Sequence, residues 1–262
     1  MPLLKDKVAF VTGASSGIGR GTALRFGQEG ATVVAVARHT DEEDTCKVCA
    51  EIDKAGGKSI FVPADVSKPD EVKRAVDETV KKFGRLDVVV ANAGINGVWA
   101  PIDELEPDEW NKTIATNLTG TYLTLHYTVP HLKKAGGGSV IVVSSVNGNR
   151  TFVTPGATAY STTKAGQVAM MKMLAVELGK HQIRVNAVCP GAIHTNIEES
   201  TERKNTEKLG LKIEYPQGKP AVNEGQGEVP DVADVCLFLA SDMSRHVSGI
   251  ELYVDGGFSL AR

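Results

Sequence analysis

In the stretch "TAYSTTKAGQ", Tyr160 stands four residues ahead of Lys164. On a helix these positions share a face, so a phenol and an amine lie side by side. Any reaction that moves a proton on or off an alcohol oxygen needs a partner for that proton. A free tyrosine, with a pKa of ~10, is a poor base near neutrality. A neighbouring ammonium favours the phenolate and lowers that value. A tyrosine packed on a lysine stem would show the same spacing, so the pair takes its meaning from its surroundings.

A second cluster lies near the start. The run "KVAFVT" leads into "TGASSGIGRG", where Gly13, Gly17 and Gly19 separate a strand from a helix. Glycines permit a tight turn there, and the peptide N–H groups of Ser15, Ser16 and Ile18 with the helix dipole can face a pyrophosphate. The spacing is G-x-x-x-G-x-G rather than G-x-G-x-x-G, but its place after the first strand makes the motif informative.

The elements that must position these groups follow a regular order. Strand-like runs rich in valine and isoleucine fall at 7–12, 32–37, 59–62, 86–91, 139–144, 183–188 and 250–254. Helix candidates fall near 17–29, 41–55, 68–83, 108–133, 158–180 and 230–241. Uniformly apolar strands alternating with helices predict a doubly wound, seven-stranded parallel α/β sheet of Rossmann type, helices on both faces. Ser67 before "KPDE" and the acids of "EPDEW" (106–110) read as helix starts. The polar segment 195–228 is too long for an ordinary connection and reads as a substrate-binding loop or lid within a single domain, 1–262.

Composition narrows the class. The net charge of −3 gives no basic footprint for nucleic acid. No run reaches the ~18 apolar residues of a membrane span, and "MPLLKDKVAFVTG" lacks a signal-peptide layout, so a cytoplasmic location is expected. Cys46 and Cys49 form a C-x-x-C within a helical segment, while Cys189 and Cys236 stand alone; no metal site is expected.

The motifs "TGASSGIG" (12–19), "ADV" (64–66), "NAG" (92–94), "TNLTG" (116–120), "VSS" (143–145), "YSTTK" (160–164), "PGAIHT" (190–195) and "VDGG" (254–257) occur in the order found in short-chain dehydrogenases/reductases. The chain resembles that family over essentially its whole length. The resemblance implies an NAD(P)-dependent oxidoreductase exchanging hydride between nicotinamide and a carbonyl or secondary alcohol, with Tyr160 as acid/base and Lys164 tuning it and holding the ribose. It implies Ser145 as the holder of the substrate oxygen and Asn117 as the anchor of a water relay. Ser145 precedes Tyr160 by 15 positions where 13 is usual, which lengthens the intervening loop and puts Asn147 at the usual place. Ser144, on the opposite strand face, is the alternative.

The family's cofactor contacts fall on Asp65 and Val66 for adenine, Asn92, Ala93 and Gly94 for the ribose, and Pro190, Gly191, Ile193 and Thr195 for the nicotinamide. The acid that would accept from a ribose 2′-OH is replaced by Ala37, followed by Arg38, which favours NADP(H) over NAD(H). Ile95, Asn96, Trp99, Asn147, Phe152, Val153 and His194 are candidate walls for a small-molecule carbonyl or alcohol. A non-catalytic NADP-binding sensor of the same fold is the alternative reading. Family likeness, with the largely apolar helix "VAMMKMLAVEL" (168–178), implies a homotetramer, or a homodimer.

Overall fold

The computed structural model describes residues 2–210, 222 and 226–260. In chain order its elements are β1 Val8–Thr12, α1 Gly17–Gln28, β2 Thr32–Ala37, α2 Glu42–Lys54, β3 Lys58–Pro63, α3 Pro69–Phe83, β4 Val88–Ala91, β5 Gly97–Trp99 and α4 Pro107–Ile114. A π-helical turn, Ala115–Thr119, leads into α5 Gly120–Lys134. Then come β6 Gly138–Val143, α6 Thr158–Leu178, β7 Ile183–Pro190, β8 Thr201–Arg203, α7 Val229–Ala240 and β9 Glu251–Val254.

Seven strands form one parallel sheet in the order β3-β2-β1-β4-β6-β7-β9. Alternation along each strand divides the core in two. Val8 and Phe10 of β1 join Val34, Val89, Val140 and Met171 on one face, while Ala9 and Val11 join Val33, Val90, Ile141, Phe26 and Leu237 on the other. Helices thus cover both faces, as the uniformly apolar strands require. Each fully buried large side chain contributes roughly 1.5–3 kcal/mol, so the sheet is a rigid platform.

From β1 the chain winds outward through β2 and β3, then returns to lay β4 on β1's other side. The reversal opens a crevice at the carboxyl ends of β1 and β4, where such sheets bind ligands.

Three details depart from expectation. Lys68, not Ser67, is the N-cap of α3, with Pro69 opening the helix; Ser67 instead donates its hydroxyl to Asp65. The helix expected over 108–133 is split by the π turn. Within the expected lid, β8 pairs in parallel with β5, a two-stranded sheet with no signal in the apolar pattern. The acids at 106–110 behave as expected: Glu106 and Glu109 form a capping box around Pro107.

Candidate active site

The glycine turn sits at the head of the crevice. Gly13 has φ +65°, and a Cβ there would lie 2.9 Å from Ala93 Cα. At Gly19 a Cβ would come within 2.1 Å of the Gly13 carbonyl, so only glycine lets α1 pack this close to β1. The α1 N-terminus has no side-chain cap and no acid in its first turn. Its first N–H groups, at Gly17 and Ile18 behind the exposed Ser16, are thus left for an external anion. A dinucleotide pyrophosphate fits this donor set and this bare backbone.

The turn is braced from β4. Asn92 donates its amide to the Thr12 carbonyl at 2.9 Å, and the Thr12 hydroxyl accepts from Asn92 N and Ala93 N. Thr195 places its side chain against Gly17, closing the crevice from the far side. Pro190 ends β7 and Gly191 N bonds Val254 O, which leads Ile193 onto the core below α1. Asp65 is half-buried and accepts from the Ser67 amide and hydroxyl, and Val66 packs on Gly120 and Leu123. Arg38 is exposed at the end of β2, its guanidinium bound to both oxygens of Asp41 at 3.0 and 3.2 Å.

Tyr160, Lys164 and Ser145 come together beneath this crevice. All three are buried. Burial pushes the Tyr160 phenol's pKa up, outweighing the opposing pull of the Ser145 hydroxyl. Lys164 Nζ lies 5.5 Å from the centre of the Tyr160 ring and donates to the Val143 carbonyl at 3.0 Å. Burial lowers its pKa to about 8. Burial dominates both shifts and favours each neutral form, so a lowering of the phenol's pKa by the lysine does not show in this chain on its own. Cys189, on β7 beside the pair, is a neutral thiol, pushed up to about 12 by burial.

Ser144 is engaged elsewhere: its hydroxyl donates to the Lys164 carbonyl at 2.8 Å. The two-residue extension of the following loop folds back on Ser145. Asn149 donates its amide to Ser145 O at 2.8 Å and to Ser144 Oγ at 3.2 Å, and Asn147 N donates to Ser145 Oγ at 3.1 Å. Arg150 stacks on the Tyr253 ring at 3.6 Å, tying the loop to β9. Neither Asn149 nor Arg150 was singled out from the sequence; the unusual Ser–Tyr spacing was the available signal.

Asn117 lies in the π turn, fully buried. Its side chain accepts from Ile95 N and donates to Ile95 O, both at 2.8 Å, and to Thr163 Oγ1 at 3.2 Å. It clamps the loop after Gly94 onto α6. Among the candidate wall residues, Trp99 packs on Tyr160 and Ala157, with its buried indole N–H unpartnered. Asn96 turns to β8, donating to Thr201 Oγ1 at 2.7 Å. Asn147 accepts from the hydroxyls of Thr151 and Thr154. Val153 is half-buried, whereas Phe152 (73% exposed) and the His194 side chain (77% exposed, 4.0 Å from Glu228) are not brought to Tyr160.

The segment after β8 is held by charge. Lys204 pairs with Glu109, and Lys208 and Asn205 both bind Glu104. Residues 211–221 and 223–225 of the expected lid lie outside the described residues. Among the described residues no group of three or more His, Cys, Asp or Glu could hold a metal, and no helix is long and apolar enough to cross a membrane.

The profile of the family described as enoyl-(acyl carrier protein) reductase matches residues 13–259. The chain belongs to the short-chain dehydrogenase/reductase family. It is 39% identical to the 3-oxoacyl-[acyl-carrier-protein] reductase of Thermotoga maritima, over 97% of this chain and 98% of that one. A solved 3-ketoacyl-ACP reductase from Sinorhizobium meliloti superposes with a TM-score of 0.92 at 54% identity, covering 97% of this chain and all of the other. Carveol dehydrogenase from Mycobacterium avium, solved in complex with NAD, gives 0.88 at 33% identity, with 99% and 100% covered. The chain is an oxidoreductase of CH–OH and carbonyl groups that uses a nicotinamide cofactor.

Proposed function

We propose that the protein transfers hydride between NADP(H) and a carbonyl or secondary alcohol, with Tyr160 as acid/base, Lys164 as its electrostatic partner and Ser145 as holder of the substrate oxygen. The burial of Tyr160, Lys164 and Ser145 together, with Lys164 Nζ 5.5 Å from the Tyr160 ring centre, carries this reading. A raised phenol pKa keeps Tyr160 protonated at neutral pH, the form needed to donate to a carbonyl oxygen as it becomes an alkoxide. The bound cofactor supplies or accepts the hydride; Ser145 orients the oxygen, and Trp99 walls the site against water. Tyr160→Phe should lower kcat at least about 10³-fold while cofactor affinity stays within about threefold. An active phenylalanine variant would refute the assignment. Turnover by the wild type with any alcohol or ketone excludes the sensor reading.

The preference for NADP(H) rests on Arg38. Its exposed pair with Asp41 is worth only about 0–1 kcal/mol, so a 2′-phosphate can compete for the guanidinium. Arg38→Ala should cut kcat/KM for NADP about tenfold or more and leave NAD nearly unchanged. Equal values for the two cofactors in the wild type would overturn the preference.

The ketoacyl reductase likeness makes 3-oxoacyl thioesters the first substrates to assay. Exposed Met173 and Val176 on α6 support assembly into a homotetramer. Four unpaired cysteines support a cytoplasmic location.

A further inference from the structure

We infer that Gln167 is a positioning residue for the catalytic pair, locking α6 onto the π turn at Asn117. The inference rests on the roles proposed above for Tyr160 and Lys164. Tyr160, Lys164 and Gln167 occupy positions i, i+4 and i+7, one stripe of the helix. Gln167 is the deepest of the three, with 1% of its surface exposed. Its Nε2 donates to the Asn117 carbonyl at 2.9 Å and to Thr121 Oγ1 at 2.8 Å. Thr121 donates to the same carbonyl at 2.7 Å.

A π turn disturbs the regular ladder of backbone bonds, and a buried carbonyl within it needs other donors. Gln167 and Thr121 supply them. One turn earlier on α6, Thr163 accepts from the Asn117 side chain and donates to the Tyr160 carbonyl at 2.6 Å. Asn117 is therefore gripped by α6 twice, through its side chain at Thr163 and its carbonyl at Gln167, and the two grips straddle Lys164. Sliding or rotating α6 against the π turn would break both. Asn117 in turn holds Ile95, on the substrate side of the crevice. The register between acid/base pair and substrate loop is thus set through one buried amide.

The cost of that amide points the same way. Gln167 Oε1 is buried without a hydrogen-bond partner. A buried polar atom without a partner is unfavourable, and a methionine of similar length would fill the place without that penalty. The contribution of Gln167 is therefore geometric rather than a gain in core stability.

The test is Gln167→Met, assayed by steady-state kinetics, cofactor titration and thermal unfolding. Misplacing the pair by a fraction of an ångström should lower kcat about tenfold. Cofactor Kd should stay within about twofold and Tm should hold or rise. A kcat within twofold of wild type overturns the inference, as does a kcat loss matched by equal losses of cofactor affinity and Tm. Thr121→Val provides a second reading: it removes one donor from the same carbonyl, and kcat should fall about threefold with Kd unchanged. Inert Tyr160→Phe beside an unimpaired Gln167→Met sinks only this inference; active Tyr160→Phe sinks the catalytic assignment beneath it.

Discussion

Replacing Lys164 by methionine should make the protein more stable and nearly inactive at once. The amine is buried, and its pKa falls from 10.5 to about 8 because the surroundings oppose its charge. A drop of about 2.5 units corresponds to roughly 3 kcal/mol of folding free energy at pH values below the folded pKa. The sign follows from proton counting: between about pH 8 and 10.5 the unfolded chain binds the proton and the folded chain does not, so the penalty shrinks as pH rises through that window. Methionine carries no charge and fills a similar volume. It forfeits the bond to the Val143 carbonyl, which offsets about 1 kcal/mol. The net gain is then about 2 kcal/mol near pH 6.5 and close to zero at about pH 9.5. Urea unfolding of cofactor-free wild type and Lys164→Met at the two pH values, at one protein concentration, measures the difference. A variant that is less stable near pH 6.5, or whose stability difference does not change with pH, would show that burial does not penalise this amine. Turnover should fall by about 10²-fold or more with either outcome.

Other perturbations test the scaffold around the pair. Gly19→Ala places a methyl 2.1 Å from the Gly13 carbonyl and must push α1 away from β1; a loss of about 2 kcal/mol or more in stability and at least tenfold in cofactor affinity is expected from unfolding and fluorescence titration. Asn149→Ala frees the Ser145 carbonyl and the Ser144 hydroxyl from a shared donor, so kcat should drop about tenfold with cofactor Kd unchanged, read in the same assays.

Strand and helix order was legible because burial on both faces leaves no room for polar residues: "VAFVT" and "TVVAVA" can be little else. The glycine turn was legible because steric demands at Gly13 and Gly19 admit one residue type. β5 and β8 were not, since "GVW" and "TER" carry no alternation long enough to register. The π turn left one trace, since a mid-helix asparagine at position 117 fits a local break and the resemblance implies one there, but its π geometry changes no composition. Asn117 within it could be named from the resemblance, but its grip on Ile95 and Thr163 required the fold.

The electrostatics of the pair illustrate the same limit from the other side. Spacing alone argues that Lys164 lowers the Tyr160 pKa, since the two share a helix face. Whether it does depends on how much water each group has lost, and that is set by β6, the 144–157 loop and Trp99 rather than by any residue between 160 and 164. In the folded chain desolvation is the largest influence on each group, leaving a protonated phenol over a weakened ammonium. A site in this state is prepared to give a proton rather than take one. The positive charge that would reverse the balance must come from outside the chain, which ties the acidity of the phenol to whichever ligand occupies the crevice. Alcohol oxidation, which needs the phenolate, should therefore gain in kcat as pH rises while carbonyl reduction, which needs the phenol, does not.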